Sequence, residues 1–143
     1  MTVFYSNELD PVLNATPARK AKGSAVGGRM RREQATIDLA SQATTDTIVI
    51  ASVPKGQAFA YGVLNSSVTL GAATVAIGIT GATGKYRAAA VFTAVSTPTL
   101  FGVNAALGDG AELAAAEEIF ITIATAALPA SGRLVVDLYF SGA

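Results

Sequence analysis

Residues 119–140 read IFITIATAALPASGRLVVDLYF. In the first half Ile119, Ile121 and Ile123 alternate with Phe120, Thr122 and Ala124. In the second half Leu134, Val136, Leu138 and Phe140 alternate with Arg133, Val135, Asp137 and Tyr139. A period of two marks strands with one buried face. Between them, Pro129-Ala130-Ser131-Gly132 supplies residues that turn a chain. This segment therefore predicts two strands joined by a turn.

The same pattern extends back toward the N-terminus. Val75, Ile77 and Ile79 alternate with Thr74, Ala76 and Gly78, up to Gly81-Ala82-Thr83-Gly84, which reads as a turn. Phe59, Tyr61 and Val63 alternate with Ala58, Ala60 and Gly62 until Asn65-Ser66-Ser67 breaks the run. Residues 47–53 are β-branched and stop at Pro54-Lys55-Gly56. Ala35, Ile37 and Leu39 alternate with Thr36, Asp38 and Ala40, and residues 86–92 and 97–103 complete the set. Roughly eight short strands at regular spacing predict an all-β fold, a β-sandwich, with an eight-stranded jelly roll as the natural candidate. Residues 111–118 (AELAAAEE) favour helix by propensity, and are read as a loop or one short helix leading into the next strand.

Composition limits what such a fold can do. The 143 residues suit one domain, 51% are hydrophobic and only 14% charged, against an ordinary ~25%. Ten basic and ten acidic residues give zero formal charge. The mean hydropathy is +0.47, so the chain has more apolar surface than one protomer readily buries. The 29 alanines fit close packing between subunits, and equally a codon bias. No Cys and no His are present, which removes thiolate nucleophiles, disulfides, Cys-ligated metal sites, imidazole ligands and the commonest general base. No signal peptide and no membrane span are visible.

Candidate motifs fail one by one. Gly81-Ala82-Thr83-Gly84-Lys85 resembles the end of a phosphate loop, but Ile79 stands where the first glycine belongs and Tyr86 follows the lysine. A hairpin turn is the better reading. Neighbouring Glu117 and Glu118 point to opposite faces of a strand and cannot share a cleft. Asn14-Ala15-Thr16 and Asn65-Ser66-Ser67 match the glycosylation sequon without a secretory signal to support them. Tyr61, Tyr86 and Tyr139 are possible flat platforms for a sugar, or ordinary core and rim aromatics. No catalytic residue, cofactor site or metal site is expected.

Residues 1–33 differ from the rest. Pro11, Pro17, Gly23, Gly27 and Gly28 interrupt regular structure, and Arg19, Lys20, Lys22, Arg29, Arg31 and Arg32 are six of the ten basic residues. The expected organisation is an extended basic arm over residues 1–33 and a β-sandwich body over 34–143. Such an arm suits contact with an acidic surface, or serves as a solvated tail that keeps an apolar body soluble. Nucleic acid is a poorer partner, because no aromatics are interleaved with these charges.

Several stretches together carry a family resemblance. They are Gln42-Ala43-Thr44-Thr45-Asp46-Thr47-Ile48-Val49, Pro54-Lys55-Gly56, Tyr61-Gly62-Val63-Leu64-Asn65, residues 76–79 running into Gly81-Ala82-Thr83-Gly84-Lys85-Tyr86-Arg87-Ala88-Ala89-Ala90, Thr97-Pro98-Thr99-Leu100-Phe101-Gly102, residues 119–123 and Leu128-Pro129-Ala130-Ser131-Gly132. Over roughly residues 34–141 the chain resembles small virion structural proteins of tailed bacteriophages, of the kind that decorate or cement capsids. The resemblance implies a non-enzymatic β-rich module repeated over a capsid surface, often as a homotrimer, with the major capsid protein as partner. Under that reading the six basic arm residues clamp capsid subunits. Another virion part (a head-fibre base, a neck or a tail component) and a carbohydrate-binding sandwich for host attachment are the alternatives.

Overall fold

The computed structural model describes every residue except 1, 5, 7–9, 21, 22, 24, 25, 103–111 and 143. A one-turn helix, α1 (Asp10–Leu13), is followed by eight strands: β1 (Arg29–Asp38), β2 (Thr47–Val53), β3 (Ala58–Ser66), β4 (Thr74–Ile79), β5 (Ala82–Val91), β6 (Thr99–Phe101), β7 (Glu117–Ala124) and β8 (Arg133–Gly142). They form two four-stranded antiparallel sheets, ordered β1-β8-β3-β6 and β2-β7-β4-β5. The first strand pairs with the eighth, the second with the seventh, the third with the sixth and the fourth with the fifth. The expected all-β sandwich is therefore the observed one.

Alternation dictates which faces meet. On β8 Leu134, Val136, Leu138 and Phe140 are at most 1% exposed, and on β7 Ile119, Ile121 and Ile123 are equally buried. These two strands lie inside their sheets and supply the centre of the core, against Val75 and Ile77 of β4, Leu64 of β3 and Ile37 of β1. Burying each such side chain contributes roughly 1.5–3 kcal/mol relative to exposure.

One end of the sandwich is closed by aromatics. Tyr86 of β5 packs on Phe59 of β3 at 4.6 Å between ring centroids, and Phe59 packs edge-on to Phe140 of β8 at 5.3 Å. The Tyr86–Phe59 contact crosses from one sheet to the other, whereas Phe59 and Phe140 are register partners within one sheet. The Tyr86 hydroxyl donates to Glu117 Oε2 at 2.6 Å, and Lys85 Nζ pairs with the other carboxylate oxygen. A buried phenol is thus satisfied by a carboxylate that is itself neutralised. Burial first, then the hydrogen bond and charge of Glu117, push the Tyr86 phenol well above its ordinary range. Beside this cluster Phe101 lies across Gly62, its partner in the β3–β6 ladder. A Cβ at Gly62 would fall 2.2–2.6 Å from three atoms of that ring, so only glycine lets the short strand β6 dock.

Four places refine the expectation. The first strand begins at Arg29, which puts Arg29, Arg31 and Arg32 in it, because β8 supplies backbone partners for Arg29–Glu33 despite their charge. The turn expected at 81–84 contracts to Thr80 and Gly81, and Ala82–Gly84 join β5. That irregular strand shifts register twice against β4. A Cβ at Gly78 would lie 2.2 Å from the Ala82 carbonyl oxygen, so the extra residues fold tightly against β4. Strand β6 spans only Thr99–Phe101, and the expected continuation to Val103 lies outside the described residues. Of the two readings of residues 111–118, a loop or one short helix, the described residues take the loop: between Leu113 and Ala116 the chain has bends and no helix, because Glu112 bridges to Ala58 in extended conformation. The sandwich thus overrides the local helix propensity.

Two outcomes test this packing. Gly62→Ala should lower unfolding stability by about 1–3 kcal/mol in chemical denaturation, as overpacking does. The raised Tyr86 pKa means that the native state holds this proton more tightly than the unfolded chain. Its contribution is full below the unfolded value near ~10 and is lost as pH climbs above it. Alkaline titration followed at the phenolate absorbance should show a late step that coincides with unfolding, and Y86F should lack it.

Candidate interaction surface

The sequence predicted six basic arm residues as the contact site, and the structure divides them. Arg19 and Lys20 are exposed in the arm between α1 and β1, and Lys22 lies outside the described residues. Arg29, Arg31 and Arg32 belong to β1, which starts ahead of the boundary expected at residue 33. Alternation then separates them. Arg29 and Arg31 share one face at the end of the strand, and Arg32 is on the other.

Arg32 is engaged within the body. It stands opposite Tyr139, and its guanidinium reaches diagonally to Asp137, donating from Nε at 3.0 Å and from Nη2 at 3.1 Å. This is the forked arginine–carboxylate geometry. The hydrogen bond and then the charge of Asp137 raise the arginine pKa. The fork neutralises Arg32 and leaves Arg19, Lys20, Arg29 and Arg31 as the exposed, unforked cations among the described residues of 1–33.

The arm also carries apolar side chains in water. Val3, Phe4 and Leu13 are 61%, 89% and 63% exposed. Hydrogen bonds of Asp10, Asn14 and Ala15 stay inside the arm, where α1 is a single turn. Exposed apolar anchors beside cations are a combination that gains from a partner surface.

The outer face of the β1-β8-β3-β6 sheet was only partly legible. Tyr61 and Tyr139 are register partners and their rings stack at 4.6 Å, 21° from parallel. Val63 and Leu100 continue the face toward β6. Tyr61 reaches this face through a register shift in β3 between Phe59 and Tyr61. The shift turns Phe59 toward the core and Tyr61 outward, so the alternating set Phe59, Tyr61, Val63 does not share one side. Tyr86 is 3% exposed in the core, and the three-tyrosine sugar platform is not assembled.

Other candidates resolve simply. Lys85 of the phosphate-loop look-alike follows a hairpin turn and is held by Glu117. Arg87 donates to the carbonyls of Val75, Ala90 and Val91, and burial lowers its pKa. A depression of about 210 Å³ lined by Asn65, Ser66, Ser67, Ser96, Arg133 and Val135 opens at the strand ends. Among the described residues no group of three acidic side chains could hold a metal, and no helix is long and apolar enough to cross a membrane.

No protein-family profile and no curated protein matches the sequence. The fold does have solved counterparts. A chain in the capsid asymmetric unit of cyanophage Pam1 superposes with a TM-score of 0.65 at 18% identity, over 93% of this chain and 99% of that one. A chain in the capsid of Ralstonia phage GP4 gives 0.58 at 16% identity, over 81% and 84%. A chain in the acid-stable capsid of Helicobacter pylori bacteriophage KHP30 gives 0.57 at 10% identity, over 78% and 86%. High coverage on both sides makes each counterpart close to this chain in length. At these identities the likeness establishes a shared fold.

Two truncations test where the arm ends. Removing residues 1–28 should leave the unfolding midpoint and denaturant dependence unchanged. Removing residues 1–33 also strips five residues from the β1–β8 ladder and should cost on the order of 1–3 kcal/mol.

Proposed function

We propose that this chain is a non-enzymatic structural subunit of a tailed-phage virion, a decoration or cement protein that binds the outer surface of a capsid. The observation that carries this reading is the recurrence of the same fold, in chains of nearly the same length, in three phage capsids. The nested strand pairing is read as a jelly roll. A small separate subunit suits reinforcement of a shell built by a larger protein, the major capsid protein.

In the proposed mechanism the body is the rigid part and the arm, with Arg29 and Arg31 at its root, is the clamp. Val3, Phe4 and Leu13 fill apolar depressions on the capsid subunits, while Arg19, Lys20, Lys22, Arg29 and Arg31 meet acidic groups around them. Arg32 does not take part directly, because Asp137 holds it. A weakly structured segment can wrap a large surface when it orders on binding. Its exposed cations make the association dependent on salt.

Quantitative mass spectrometry of purified particles tests the reading. The expected result is hundreds of copies in a simple ratio to the major capsid protein. About a dozen copies would move the assignment to a neck, tail or fibre part, and absence from particles would overturn it. The clamp is tested by co-sedimentation with undecorated particles: the chain lacking residues 1–28 should stay folded and lose binding, and full binding would remove the clamp from the mechanism.

A further inference from the structure

The two lateral margins of the sandwich differ in charge. On one side β1 and β2 lie together, and β1 carries Arg29, Arg31, Arg32, Glu33 and Asp38. Charged residues on an edge strand discourage pairing with another chain. On the other side β5 is the edge of one sheet and β6 the edge of the other. Here the sequence from Ala88 to Gly102, AAAVFTAVSTPTLFG, contains no charged residue. Ala88, Ala89, Ala90, Thr93 and residues 96–99 are exposed. Val91, Val95 and Leu100 are 53%, 50% and 64% exposed. Leu100 continues into the outer face that holds Val63 and the Tyr61–Tyr139 stack.

The neighbouring cation does not change this character. Arg87 is folded onto the carbonyls of Val75, Ala90 and Val91. That arrangement satisfies part of the β5 edge from within, so the margin offers side-chain packing more than an open hydrogen-bonding ladder.

We infer that the uncharged margin of residues 88–100 is the surface through which copies of this chain associate with one another. The occupant follows from charge. A surface used by identical subunits must tolerate its own copy. An uncharged margin brings no like charges together, and small or β-branched residues allow close approach. The basic arm and the Arg29–Arg31 end of β1 repel their own copies and suit a different, acidic partner. The inference rests on the virion reading for its purpose, since subunits repeated over a shell gain from contacting one another, but its test needs no particle.

The test is sedimentation velocity of the full chain across roughly a hundredfold range of concentration. The wild type should self-associate. V91K and L100K should each weaken association by about a hundredfold, since a buried unpaired charge at a contact costs several kcal/mol. V49K, on the exposed face of β2, should not. Circular dichroism checks folding of each variant. Should the lysine variants misfold, hydrogen exchange on the wild type decides: amides of residues 88–100 should gain protection as concentration rises, and those of β1 should not. A monomeric wild type throughout, or association broken by V49K but not by V91K and L100K, would overturn the inference. Self-association through this margin in a chain absent from particles would remove the virion role and leave the contact standing.

Discussion

Strand β8 holds the structure in one arrangement. It pairs with β1 on one side and β3 on the other, and its four alternate residues Leu134, Val136, Leu138 and Phe140 are sealed in the core. A slip of one residue against either neighbour would carry that set to the solvent face and bring Asp137 and Arg133 inside. Burying a carboxylate without its partner costs far more than any local gain. The register of one sheet is therefore fixed by the pattern of a single strand. The second sheet is fixed in the same way by β7, and the aromatics Phe59, Tyr86 and Phe140 join the two.

That constraint explains how three chains with 10–18% identity share the fold. Alternation, turn residues and a few points of close approach specify the sandwich, and many side chains satisfy them. Gly62 under Phe101 is such a point, and substitution there meets a ring rather than solvent. The surface is free of these demands, and charge is distributed over it unevenly. Cations collect at the arm and the start of β1, while residues 88–102 of the β5–β6 margin have none. In an apolar chain of zero net charge this separation is the main electrostatic feature of the molecule. The arm and margin assignments proposed above follow from it.

The strands themselves were legible in the sequence. Period-two runs marked five of them, and β-branched or turn-bounded runs marked the other three. Pro11, Pro17 and the surrounding glycines set the N-terminal segment apart in the sequence. Whether Arg29, Arg31 and Arg32 belong to that segment or to the first strand stays open until β8 is present to pair with them.

What the sequence by itself determined is the strand content, the turns and the buried alternation of β7 and β8, since these follow from spacing along the chain. What only the tertiary structure decided is set between strands. Phe59 and Tyr61 carry the same alternation signal, yet the register shift against β8 sends one to the core and the other to a stack with Tyr139. Arg32 and Asp137 are separated by 105 positions in the chain and become a forked pair only across the β1–β8 ladder. The two margins acquire opposite character only when strand order places β1 at one edge and β6 at the other. Spacing along a chain encodes which face a residue takes, whereas its neighbour depends on which strands pair and in which register.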